Sequence, residues 1–218
     1  MNAFDPGFDA LPSQIPIFPL TGVLLLPRGE LPLNIFEPRY LHMVEDALGA
    51  GRMIGMIQPT EHESTQPNPP VYRTGCAGRI IAFQETDDGR FLLTLKGVCR
   101  FDVKDELPLR RGYRPVVVDW SRHRSDMNSD SEARIDRPRL FASLKGYFST
   151  HGISADWNAI EASADERLVT CLSMICPFEA SEKQALLEAP TLIERSKVLT
   201  ALVEMSAHGK APGKAAPQ

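Results

Sequence analysis

The sequence predicts an α+β protein, with a β-rich, barrel-like N-terminal part carrying one helix and a C-terminal helical bundle. Three observations predict it. From about Ile15 to Trp120 short apolar runs alternate with Pro and Gly, whereas from about Ser131 to His208 Ala, Leu, Glu and Lys recur at helical spacing. Between them Ser121-Arg-His-Arg-Ser-Asp-Met-Asn-Ser-Asp130 is polar and almost without apolar anchors, the composition of a linker. The organisation is therefore a β-rich pseudo-barrel over 1–120, a polar linker and helix start over 121–138, a helical bundle over 139–208 and a disordered tail over 209–218. With 43% hydrophobic and 24% charged residues, the 218-residue chain has the balance of a folded protein.

In chain order, the apolar run Val23–Leu26 stops at Pro27 and Arg28. Glu37-Pro38 opens the one helix of this part, because proline is tolerated where the backbone N–H has no helical partner. Tyr40, Leu41, Val44 and Leu48 form its core-facing stripe, His42, Glu45 and Asp46 its outer face, and Gly49 and Gly51 its end. The clearest β unit is Arg79–Leu95, where Asp88-Gly89 supplies the positive φ of a tight hairpin turn. On the return strand Phe91, Leu93 and Leu95 share a face. Gly97 allows a bend, after which Cys99, Phe101 and Val103 alternate with Arg100, Asp102 and Lys104. Pro115–Asp119 reads as a further strand, and several short strands with close turns make a small barrel-like sheet.

The second half carries helix-start signals. Ser163-Ala-Asp-Glu166, Ser181-Glu-Lys-Gln184 and Thr191-Leu-Ile-Glu194 each match the capping box, in which two side chains reciprocally satisfy end N–H groups. From the last, Leu192, Leu199, Leu202, Val203 and Met205 build an apolar side over about four turns. Pro138 and Pro177 limit their neighbours, and four or five helices are expected.

A formal net charge of −4 argues against a nucleic-acid partner. No stretch approaches the ~18–20 apolar residues of a membrane span, and 1–13 lacks a signal-peptide pattern, so a cytoplasmic location is expected. Cys76, Cys99, Cys171 and Cys176 form no C-x-x-C pair and read as buried, reduced thiols. No phosphate loop, dinucleotide fingerprint or nucleophile elbow occurs. Glu61-His62-Glu63 lacks a second histidine, with Gln66 at that position, and reads as a solvated loop. Trp120 and Trp157 read as packing anchors. The expectation is a non-enzyme without cofactor or metal.

Ile15 to Tyr40 contains Pro16-Ile-Phe-Pro-Leu20 and, further on, Leu31-Pro-Leu-Asn-Ile-Phe-Glu-Pro-Arg-Tyr40. The run resembles the opening of the Lon protease N-terminal, substrate-binding domain. Later stretches fall in the family's order: Gly75–Ile80, Asp88–Phe101, and Ser181-Glu-Lys-Gln-Ala-Leu-Leu-Glu188 with Arg195. The resemblance covers about 15–205 and is to a stand-alone form, without the ATPase and peptidase modules of full Lon proteases. It implies a PUA-like pseudo-barrel followed by a helical bundle, and a role in recognising protein substrates. Within the motif, Glu37 and Arg39 brace the turn while Phe36 and Tyr40 fill the core, so Phe36→Ala is predicted to cost ~3–5 kcal/mol.

The leading expectation is thus a non-catalytic module that binds or adapts protein or peptide clients, with a separate protease as a further partner. A PUA-like nucleic-acid binder and a small-molecule enzyme using the cleft between the two parts are the rival classes. The candidate protein-binding site is Leu24, Leu25, Leu26 and Pro27. Consecutive leucines in a strand cannot all face one core, so at least one is expected at a rim.

Overall fold

The structure, a computed structural model, describes residues 6–61, 66–128, 133–152 and 154–208. The predicted tail and the His62-Glu63 part of the loop lie outside them. The N-terminal part contains β1 (Gln14–Pro19), β2 (Glu30–Ile35), α1 (Pro38–Gly49), β3 (Met53–Ile57), β4 (Thr74–Glu85), β5 (Phe91–Glu106) and β6 (Arg114–Asp119). The sheet order is β2-β5-β4-β3-β1-β6, and β6 also pairs with β5, so five strands close a ring with β2 outside it. Closure depends on β5. It pairs with β2 from Phe91 to Lys96, with β4 from Phe91 to Asp102, and with β6 from Asp102 to Glu106. Register shifts at Ala77/Gly78 and Val103/Asp105 mark the irregularities that let the strands curve.

Alternation divides the side chains of the ring into two cores. Inside it, Ile15, Ile17, Ala77, Cys99, Phe101, Val116 and Trp120 pack together. Trp120 meets Phe101 edge-on at 5.9 Å and donates its indole N–H to Pro12 O at 2.9 Å, the packing anchor expected of it. Outside, a larger core joins the sheet to α1 and the helices through Ile35, Val44, Leu95, Leu144, Leu172 and Leu199. In α1 the buried stripe is Tyr40, Met43, Val44 and Ala47, with Leu41 and Leu48 half buried at its flanks. Arg39 bonds Glu37 at 2.9 Å, bracing the helix entry as the sequence indicates.

Among the described residues five α-helices follow: α2 (Arg137–His151), α3 (Trp157–Ala162), α4 (Asp165–Ile175), α5 (Ala180–Glu188) and α6 (Leu192–His208). Thr191 caps α6, accepting from Glu194 N–H at 3.2 Å. The other two predicted boxes are displaced. Ser163 closes α3 and Ala164 precedes α4 without a side-chain cap. The α5 box is Glu179 with Glu182, because the helix begins two residues earlier than that signal places it and Ser181 lies within its first turn. Met205 is 68% exposed, and Cys171 lies on the outer side of α4.

The polar stretch after β6 differs most from its sequence reading. Ser121–Met127 forms a 3-10 helix docked on β5, with His123 and Asp126 buried. Its anchor is Arg100, which the strand pattern turns away from the ring interior. Arg100 donates to both oxygens of Asp126 (2.9 and 2.7 Å) and to the carbonyls of Leu187 (2.9 Å), Ala189 (2.7 Å) and Pro190 (3.2 Å). These carbonyls end α5, where the helix leaves acceptors unsatisfied. Arg195 adds bonds to Leu186 O (2.8 Å) and Ala189 O (3.2 Å). Lys183 reaches Gly22 O at 2.8 Å, and Gln184 reaches Thr74 O at 3.1 Å. The Lys-Gln-x-Leu-Leu-Glu stretch is therefore a dock between helices and ring.

His123 makes this junction sensitive to pH. Burial holds its pKa below the ordinary value, against the opposing pull of Asp102 at 3.3 Å. The unfolded chain then binds a proton that the folded chain refuses, so stability is full above pH ~6.5 and falls as pH drops below it. Asp126 adds a later loss. Burial acts to raise its pKa, but the hydrogen bonds and charge of Arg100 prevail and hold it low, so this stabilisation disappears only below the ordinary carboxylate range. Urea unfolding at pH 7.5 and 5.5 should show lower stability at pH 5.5, and His123→Gln should flatten that difference. A His123→Gln protein with the wild-type pH slope would refute the assignment.

Candidate functional site

The apolar loop proposed from sequence as a binding surface is core. Leu24, Leu25 and Leu26 are 3%, 1% and 0% exposed, and Pro27 is buried with them. The expectation assumed a strand, but Gly22–Pro27 has no regular strand structure, so strict alternation does not apply. Three consecutive side chains point in directions that are all filled. The loop ends in a bulge: Arg28, at φ 66°, donates its N–H to Gly97 O (2.7 Å), while Gly97 N–H donates to Gly29 O (2.8 Å). A Cβ at residue 97 would collide with the Leu26 carbonyl, which explains the glycine. The Arg28 side chain then reaches Asp126 O at 2.6 Å and pairs with Glu166.

Exposed apolar surface gathers elsewhere, on the arm formed by β2, the first half of β5 and the end of β4. Beyond Ile80 the strand β4 leaves the body, and Ile81, Phe83 and Leu92 are 42%, 41% and 40% exposed. Asn34, Leu92 and Gln84 share one row across the three strands, and Pro32, Thr94 and Ala82 the next row on that face. These six residues help line an open concavity of about 510 Å³. Phe36, just past β2, is 62% exposed beneath Arg90, whose guanidinium lies 5.8 Å from its ring. Ile35 takes the core position at 2% exposed, which turns its neighbour outward and corrects the expected burial of Phe36. Phe36→Ala should therefore change stability by less than about 1 kcal/mol in denaturant unfolding. A loss of ~3 kcal/mol or more would return Phe36 to the core.

The signal for this face was in the sequence. Once Leu31, Leu33 and Ile35 face the core, Pro32, Asn34 and Phe36 face away, and the buried Phe91-Leu93-Leu95 row leaves Leu92 outside.

Reactive groups do not converge on the arm. Burial pushes the thiol of Cys99 up to about 12 and that of Cys176 to about 11, and raises Cys76 well above its ordinary value. Each stays a protonated thiol at neutral pH, a poor nucleophile and a poor metal ligand. Among the described residues no three His, Cys, Asp or Glu side chains are grouped to hold an ion, and no helix is long and apolar enough to cross a membrane. His42 bonds the Arg111 carbonyl at 3.1 Å, within a surface tie where Arg111 pairs Glu45 and Asp46.

A five-strand closed ring, an outlying strand and a docked helical bundle define the class: a β pseudo-barrel domain locked to its helices by buried polar contacts. The chain matches the family model described as the ATP-dependent protease La (LON) substrate-binding domain over residues 14–204, and it belongs to that family. It is 26% identical over 192 residues to a Lon protease of Flavobacterium johnsoniae, covering 86% of this chain and 23% of that protein. It is 25% identical over 192 residues to a Lon protease of Dictyoglomus thermophilum, covering 87% and 24%. The chain thus spans about a quarter of the length of these relatives. Its fold is similar to the Lon N-terminal domain protein from Xanthomonas campestris, with TM-score 0.61, 22% identity and coverage of 86% of this chain and 97% of that one. The N-terminal domain of Mycobacterium avium complex Lon protease is similar too, with TM-score 0.58, 14% identity, and coverage of 87% and 97%.

Proposed function

We propose that this chain is a non-catalytic recognition module that binds protein or peptide clients, works beside a separate Lon-type protease, and does so in the cytoplasm. The observation that carries the reading is the sheet arm. It holds Phe36 and Leu92 in water although neither is needed by the core. Clustered exposed apolar side chains on an otherwise polar surface mark protein contact. Family membership adds support, since the matching family model is that of a substrate-binding domain.

The test is binding of a permanently unfolded model protein, reduced and carboxymethylated α-lactalbumin, followed by fluorescence anisotropy. Wild type should bind. Phe36→Asp and Leu92→Asp should each weaken binding about tenfold, as loss of a central apolar contact does, with melting temperature unchanged. Wild type that binds no unfolded protein, or arm variants that bind as wild type does, would overturn the reading.

A further inference from the structure

β2 ends the sheet order and pairs with β5 on one side only. The phase of its ladder follows from the preceding bulge, where Gly97 N–H donates to Gly29 O. Antiparallel strands exchange hydrogen bonds at every second residue, so the bonded positions are Leu31, Leu33 and Ile35, opposite Leu95, Leu93 and Phe91. Glu30, Pro32 and Asn34 therefore turn their backbone groups away from β5, and all three residues are exposed. Pro32 fits this phase, since a proline inside a strand is tolerated where its missing N–H faces no ladder partner. Among the described residues nothing bonds the outward N–H and C=O of Glu30 and Asn34, or the C=O of Pro32.

We infer that this edge takes an extended, uncharged segment of a client protein as an added strand beside β2. The inference rests on the protein-recognition reading above and states how the client is held. The edge sets the chemistry of its occupant: backbone donors and acceptors at alternate positions, with an N–H opposite the Pro32 carbonyl. From Leu31 to Ile35 neither face of β2 carries a charge; the one charged side chain, Glu30, faces Lys96 at the far end. A neutral segment matches that stretch, whereas a charged one would lose hydration without a partner. Its alternate side chains would lie beside half-buried Leu31 and Leu33. A second copy of this chain fits worse. In a two-fold antiparallel pairing centred on Pro32, neither strand offers a donor at the central pair, leaving two carbonyls unsatisfied. Pro32 thus admits a foreign strand while limiting self-pairing, a common protection of sheet edges.

The experiment uses the full chain and fluorescent heptapeptides of alternating Val and Thr. One set is unmodified, and two sets are N-methylated at odd or at even positions. Because a strand shows one set of amides to its neighbour, methylation of one parity should weaken binding at least about tenfold and methylation of the other should not. Asn34→Pro, which removes an outward N–H and spares the β5 ladder, should weaken binding of the unmodified peptide similarly at unchanged melting temperature. Pro32→Thr, which restores a donor, should tighten it. Equal tolerance of both methylated sets, or unchanged affinity in both edge variants, overturns the edge inference; if α-lactalbumin is still bound through Phe36 and Leu92, the broader reading survives. A concentration-dependent wild-type dimer abolished by Asn34→Pro would assign the edge to self-association and overturn the inference.

Discussion

Replacing Arg100 with Met is expected to cost about 3–5 kcal/mol of folding stability, the usual penalty for breaking a buried ion pair from one side. The side chains of Arg100 and Asp126 are 3% and 7% exposed. Burial acts to lower the arginine pKa, but the bonds and charge of Asp126 prevail and keep it raised. Removing the guanidinium strands a carboxylate that also accepts the Arg100 backbone N–H at 2.9 Å, and it uncovers the carbonyls of Leu187 and Pro190. Urea denaturation measures the loss. Adding Asp126→Leu to the same chain should recover part of it, because the orphaned charge is gone while the empty carbonyls remain. A loss below about 1 kcal/mol for Arg100→Met would mean that the junction is solvated and does not hold the helices to the ring.

Leu25→Asp should abolish cooperative unfolding altogether. Leu25 is 1% exposed, and a Cβ added at Gly78 would lie 2.7 Å from its Cδ2 atom, so nothing nearby has room to hydrate a carboxylate. Leu25→Ala should cost ~2–5 kcal/mol and Leu25→Met less than ~1.5 kcal/mol, which separates lost volume from added charge. Circular dichroism melting distinguishes them. A Leu25→Asp protein that melts near wild type would place Leu25 in water and reopen its loop as a binding surface.

Local patterns were legible where one neighbour decides the outcome. The Asp88-Gly89 turn, with Gly89 at φ 78°, needs only its own backbone to be recognised. The inward row of Phe91, Leu93 and Leu95 needs only the pleat. Glu37-Pro38 opened α1 for the same kind of reason, since the constraint lies within one turn. The candidate site was less legible. Phe36 stands in the strongest motif of the chain, which suggests a core position, yet the parity set by Ile35 turns it outward.

By itself, then, the sequence determined the division into a strand-rich part and a helical part, the hairpin, the entry to α1 and the absence of a recognisable catalytic motif. These follow from composition and from periods of two and of 3.6 residues, which are written along the chain. Only the tertiary structure decided that Ser121–Met127 is docked rather than free, because Asp126 finds Arg100 across 26 positions and Arg100 finds Leu187 across 87. Only it decided that Leu24–Leu26 are enclosed and that, among the described residues, β2 is paired on one side alone. A charge or an apolar side chain reads alike in sequence whether its partner lies far along the chain or is water. Long-range packing supplies that partner, and with it the energy that decides between burial and exposure.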